Sequence, residues 1–227
     1  MPLPLIIIIV ALCAASAAAA TAVGLKWDAI MVALKGKRLA VFGARGVGKT
    51  HLIKFLTSGS IPEDYKQTLL LEKATGRRFQ LRDLDLRVRN TLDLSGDKSA
   101  YGEWKKLHDQ ADVVFYLLRA DRLIVGDEDV ETRVRDDLRH IGGWLDARTS
   151  RPRFFIIGTH CDFDPPFTAL SSNTVGDYVD KFRKLPIMIE LVTRSGGAQQ
   201  TRVVLGSMKT IKDTEALVYQ VFTQIES

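Results

Sequence analysis

Two cysteines among 227 residues, Cys13 and Cys161, show no metal-ligand spacing and supply no disulfide framework, which fits a reducing compartment. Blocks of one charge sign are missing too. The net charge is +5, yet Lys and Arg are interspersed with Asp and Glu, as in "RDLDLRVR" and "VETRVRDDLR". The surplus therefore reads as solvated faces and argues against a nucleic-acid partner. Internal repeats are absent, and so is low complexity outside the apolar N-terminus. At 46% hydrophobic and 26% charged residues, the rest has the make-up of one globular domain with a sizeable core.

No charge occurs from Leu3 to Leu25, "LPLIIIIVALCAASAAAATAVGL", a stretch long enough to cross about 30 Å of hydrocarbon as a helix. No Lys or Arg precedes it, whereas Lys26, Lys35, Lys37 and Arg38 follow it. That asymmetry predicts an N-terminus outside and the remaining chain in the cytoplasm. The rival is a cleaved signal peptide, for which "AASAAAA" offers small residues. The expected layout is a transmembrane anchor over 1–25, a juxtamembrane amphipathic segment over 26–36 with Trp27 at the interface, and a folded domain over 37–227. The flanking basic residues are also placed to attract anionic lipid head groups.

Apolar strand signatures then alternate with helical spacing. "KRLAVF", "DVVFYLLRA", "RFFIIGTH" and "RVVLGS" read as strands, and the alternation from Phe79 to Leu92 reads as a further strand or hairpin. Helical periodicity runs through "THLIKFLTSG", "YGEWKKLHDQA", the stretch from Val130 to Leu145, the stretch from Val175 to Leu185 up to Pro186, and the C-terminal "DTEALVYQVFTQIES". This order predicts an α/β fold, a three-layer sandwich around a mostly parallel sheet of roughly six strands.

Between the first strand and its helix stands "GARGVGKT", which fits G-x-x-x-x-G-K-[ST] at Gly43, Gly48, Lys49 and Thr50. Glycines there permit dihedrals and a close approach that a Cβ would obstruct. The amides from Gly46 and Val47 to His51 can converge on phosphate oxygens at a helix N-terminus. Lys49 adds charge to the β- and γ-phosphates, and the Thr50 hydroxyl can ligate Mg²⁺. The loop alone does not choose between ATP and GTP.

Two later stretches bear on that choice. "GTHCD" ends a strand with Thr159, His160 and Asp162, and "LGSMK" ends another with Ser207, Met208 and Lys209. With "DLSG" at Asp93 to Gly96, they stand in the order of the Ras/Arf-like small GTPase superfamily, which the chain from Lys37 to Ser227 resembles. The T-H-x-D variant is similar to that of Roc-type domains. One N-terminal span ahead of such a domain resembles the architecture of the signal-recognition-particle receptor beta subunit.

The resemblance implies a P-loop NTPase fold, GTP and GDP as ligands, and Mg²⁺. Asp162 would accept from the guanine ring N1–H and exocyclic amine. The backbone of Ser207 and Met208 would meet the guanine O6 edge, Asp93 would hold Mg²⁺ through water, and the Gly96 amide would sense the γ-phosphate. Thr68 is the candidate switch threonine on Mg²⁺, with Thr57 and Thr75 as fallbacks. Switch loops near Ser60 to Leu71 and Ser95 to Glu103 would face a protein effector, with activating or exchange factors, and no small-molecule substrate beyond GTP and water is implied.

His160 replaces the lysine that lies along the base in the wider family, and Asp97 replaces the glutamine that orients water. A carboxylate facing an anionic γ-phosphate predicts slow hydrolysis. Arg45 either neutralises γ-phosphate charge in cis or projects into solvent, and Asp97 also reads as a helix N-cap. Three functions follow from these residues: a membrane-tethered guanine-nucleotide switch, a GTP-bound assembly module, or a P-loop kinase or ATPase, against which "GTHCD" speaks.

Overall fold

Four of the apolar runs become parallel strands, each buried through its middle: β2 (Leu39–Gly43), β3 (Val113–Arg119), β4 (Arg153–Thr159) and β5 (Thr201–Leu205). The computed structural model describes residues 8–11, 37–58, 101–171, 173–197 and 200–226. Strand residues divide by parity between two cores. Phe42, Tyr116, Ile156 and Val203 face one side of the sheet, while Val41, Phe115, Ile157 and Val204 face the other. Burial on both faces is what near-continuous β-branched and aromatic runs demand.

Helices cover both faces. On the first lie α2 (Tyr101–Gln110), the short α3 (Ala120–Ile124), α4 (Glu128–Asp146), α5 (Pro165–Thr168), α6 (Val175–Arg183) and α7 (Pro186–Arg194); on the second lie α1 (Lys49–Ser58) and α8 (Ile211–Glu226). Asp127 caps α4 by accepting from Val130 N at 3.1 Å, and Pro186 opens α7 at its first turn, where its missing N–H leaves no bond unmade. The alternating strand and helix order is thus an α/β fold with a parallel sheet, in the order β1-β5-β4-β3-β2, where β1 is Ile8–Val10.

The N-terminal expectation needs correction. Ile8–Val10 form β1, a parallel edge strand with Ile8 opposite Val203 and Val10 opposite Leu205, and Ala11 N donates to Leu205 O at 2.8 Å. An uninterrupted transmembrane helix through 3–25 is incompatible with that pairing, and among the described residues no helix is long and apolar enough to cross a membrane. The physical reason lies in "IIIIV": an all-apolar β-branched run suits a buried parallel strand as well as a span, and β5 offers it unpaired backbone groups. Among the described residues the sheet has five strands, where roughly six were expected. The alternating stretch from Phe79 to Leu92 and the amphipathic segment 26–36 lie outside the described residues.

Helix α2 is fastened to its neighbours. Trp104 stacks on Phe42 with ring centroids 5.1 Å apart. Tyr101 OH donates to Asp137 Oδ1 at 2.8 Å, Tyr116 OH donates to Oδ2 at 3.0 Å, and Arg133 Nε donates to Oδ1 at 2.8 Å. Asp137 is fully buried, and desolvation raises its pKa against the pull of these donors.

His108 on the same helix is also fully buried. Neither ring nitrogen has a hydrogen-bond partner among the described residues; Asp109 Oδ1 stands 3.7 Å from Nδ1, too far for one. Burial, then the Arg148 charge, lower its pKa from 6.5 to about 4. The unfolded chain therefore binds a proton in a window where the folded chain does not. Stability is expected to fall as pH drops from 6.5 to about 4, by an amount on the order of 3 kcal/mol. Urea unfolding across that window checks this, and His108→Phe should flatten the slope.

Candidate functional site

The phosphate-loop residues join β2 to α1, at the carboxyl end of the sheet, where open α/β sheets receive ligands. Gly43 (φ +138°), Gly46 (φ +78°) and Gly48 (φ +91°) adopt left-handed backbone. A Cβ on Gly43 would sit 2.3 Å from Leu117 O, and one on Gly48 would sit 2.2 Å from Met208 Cε. Gly48→Ala is therefore expected to displace Met208 or the loop, destabilising the protein by about 1–3 kcal/mol. A thermal melt measures this.

Lys49 bends back over the loop, its Nζ donating to Gly43 O at 2.7 Å and Ala44 O at 2.6 Å. Burial, then the Arg133 charge, lower its pKa from 10.5 to about 8, with Asp137 opposing. Val47 is buried, while Arg45, Gly46 and Thr50 are exposed. His51 follows on the first turn of α1, its Nε2 3.4 Å from Thr214 Oγ1 on α8. Burial, then the His160 charge, lower its pKa.

The other two motifs converge on this loop. The Thr159 hydroxyl, fully buried at the end of β4, lies 3.0 Å from both Val47 O and Leu118 O and donates to one of them at a time. It accepts from His160 Nδ1 at 2.9 Å when that nitrogen carries the proton. His160 is in the left-handed region at φ +61°, the sole non-glycine residue there among those described. Strain of that kind persists where the surroundings hold it, and it clusters at functional sites.

A 3-10 turn, Cys161–Phe163, follows. Asp162 Oδ1 accepts from Ser207 Oγ at 2.9 Å, and Ser207 Oγ accepts from Lys209 N at 3.0 Å. The loop after β5 thereby aims the carboxylate. Met208 is buried against the phosphate loop, and Lys209 is exposed.

Sequence reading missed two neighbours and one role. Phe163, 66% exposed, stacks on His160 with centroids 6.1 Å apart, and the Arg119 guanidinium lies 5.7 Å from its ring centre. Arg119 is itself held by Asp121 at 2.7 Å. The available signal was an aromatic in the polar "CDFD", directly after the motif. Ser207 was expected to act through its backbone, whereas its side chain bonds Asp162.

Thr68, Asp93, Gly96 and Asp97 lie outside the described residues, as does the fallback Thr75; Thr57 lies in α1, and Tyr101–Glu103, assigned to a switch loop, open helix α2. Of the three oxygen donors expected for Mg²⁺, only Thr50 is described. Its hydroxyl suits a cation that takes one or two protein oxygens beside phosphates and waters. A cleft of about 520 Å³ between α4 and α7 lies at the other end of the strands. Volume alone does not mark the site; convergent donors and acceptors beside a backbone cradle do.

No family model matches the chain, and among curated proteins none matches its sequence. Among solved structures, the chain is similar to an ADP-ribosylation-factor-like GTP-binding protein from Encephalitozoon cuniculi, the small COPII coat GTPase SAR1 in complex with GDP. The two share 14% identity over 92% of this chain and 89% of that one, with a TM-score of 0.49. It is also similar to the Arl6 (BBS3) small GTPase from Trypanosoma brucei with bound GppNp, at 15% identity over 83% of this chain and 98% of that one, with a TM-score of 0.41.

Proposed function

We propose that the chain is a guanine-nucleotide switch with slow intrinsic hydrolysis, holding GTP or GDP with Mg²⁺ at the carboxyl end of its sheet. The observation that carries this reading is the Asp162 carboxylate, oriented by Ser207 beside a glycine cradle to which Thr159 ties it. A carboxylate acceptor matches two adjacent donors on guanine, which adenine does not present together. The loop amides and Lys49 would hold the phosphates, and Thr50 would meet the cation, which would neutralise phosphate charge when bound. His160 and Phe163 would offer the base an apolar and aromatic face in place of the family's lysine.

The nucleotide carried by the protein as purified, with its phosphate count, tests this directly. Guanine nucleotide is expected, and tight ATP binding without preference for GTP would remove the reading. Asp97→Gln is expected to speed single-turnover GTP hydrolysis by about tenfold, since it replaces a like charge near the γ-phosphate by a neutral donor. If Asp97→Gln fails to accelerate while Asp97→Ala abolishes turnover, Asp97 is instead an active catalytic group. GTP persisting on the purified protein would favour the assembly module.

In this reading the nucleotide-dependent surfaces lie ahead of Tyr101, because α2 is fastened to β2 and α4, and they would meet a protein effector. The domain would work on the cytoplasmic face of a membrane, drawn there by Lys26, Lys35, Lys37, Arg38 and neighbouring apolar residues, not by a helix spanning 3–25. Protease protection in sealed cells tests that side.

A further inference from the structure

At the end of the sheet away from the phosphate loop, the C-terminal halves of α4 and α7 part around the cleft of about 520 Å³, a size common among small-ligand sites. Three guanidinium groups from three separate segments line it: Arg139 on α4, Arg151 in the turn between α4 and β4, and Arg194 in the last turn of α7. Against them stands one lining carboxylate, Asp146.

Each arginine touches a carboxylate through one nitrogen: Arg139 Nη1 to Asp136 at 3.5 Å, Arg151 Nη2 to Asp146 at 3.0 Å, and Arg194 Nε to Glu190 at 2.9 Å. A guanidinium carries five N–H donors, so these contacts orient the groups without using them up. The three side chains remain 67%, 38% and 40% exposed, where such pairs add little to stability.

Four glycines stand among the residues that line the cleft. Gly196 (φ +110°) and Gly197 (φ +89°) make the turn that leads to β5, and a Cβ on Gly196 would lie 3.7 Å from Arg151 Nη1. Gly142 lets α4 approach α7, since a Cβ there would stand 3.2 Å from Arg194 O. Gly143 has no such reason: it lies inside a helix, and a Cβ there would meet nothing within 4 Å. A mid-helix glycine is destabilising relative to alanine. Its effect here is to keep one wall of an arginine-lined cleft bare.

We propose that this cleft binds a phosphorylated polyol, with its phosphates on Arg139, Arg151 and Arg194 and its hydroxyls donating to Asp146. Planar guanidinium forks match phosphate oxygens two at a time, and a carboxylate is the natural acceptor for ring hydroxyls. The ligand is either a free sugar phosphate or the head group of a lipid. β1 runs parallel to β5, so Ile8 stands at the end of the sheet where the cleft lies.

The full chain is titrated with inositol hexakisphosphate by calorimetry and floated with phosphatidylcholine vesicles with and without a phosphatidylinositol bisphosphate. Saturable, salt-sensitive binding to either probe is expected, and the probe preferred identifies the source. Arg139→Gln, Arg151→Gln and Arg194→Gln together should weaken it about 100-fold, as three charge-assisted contacts are lost. Gly143→Ala should raise the thermal midpoint and yet weaken binding about tenfold; as a fold-stabilising change it separates ligand loss from unfolding. Binding should survive Lys49→Ala and excess GDP. The proposal is overturned by absence of saturable binding to both probes, by binding unaltered in these variants, or by displacement with GDP, which would put the polyphosphate in the phosphate loop.

Discussion

Asp162→Asn is expected to move base preference from guanine to xanthine. In the proposed reading the wild-type carboxylate would accept from two guanine donors, while asparagine has one acceptor and one donor at the same place. Its amide nitrogen would face the exocyclic amine, donor against donor, whereas xanthine presents a carbonyl there. Losing two charge-assisted bonds at about 2 kcal/mol each implies GDP binding weaker by roughly 1000-fold. Ser207 Oγ can still donate to the asparagine carbonyl, as it does to Asp162 Oδ1, so the thermal midpoint should barely move. Competition titrations with GDP, XDP and ADP decide the matter. Undiminished guanine preference in the variant would remove Asp162 from the base pocket.

Lys49→Met should weaken binding of any nucleoside di- or triphosphate by about 100-fold, the loss of a cation–phosphate hydrogen bond of about 3 kcal/mol. The fold should survive, because the bonds from Lys49 to the Gly43 and Ala44 carbonyls are part-buried and water can take the ammonium's place. A pH series adds an independent check. Only the protonated ammonium attracts phosphate, and the pKa of about 8 puts its loss of charge within reach. Wild-type affinity should therefore decline as pH rises past 8, and the variant should lack that decline. Equal affinity in the two proteins would mean that the loop does not hold phosphate.

Much of this was legible because it is local. The phosphate loop is eight contiguous residues whose backbone needs are written in Gly43 and Gly48. The longer helices declared themselves by period, down to the break at Pro186, whereas the short α3 and α5 did not. Ile8–Val10 did not. An isoleucine run is apolar all round, which serves a lipid-facing helix and a two-sided buried strand alike, and the arbiter is the free edge of β5 nearly two hundred residues away. Phe163 was equally opaque, since a lone aromatic in a loop shows its use only when His160 and Arg119 stand beside it.

By itself the sequence determined the alternating order of the main strands and helices and the backbone form of the glycine loop, because hydrophobic period and glycine dihedrals act within a few residues. Tertiary structure alone decided that the N-terminal run pairs with β5, that Ser207 aims Asp162 across 45 positions, and that arginines from separate segments share one cleft. Those outcomes turn on which backbone edges and polar groups burial brings within bonding distance, and that is a property of the packed chain.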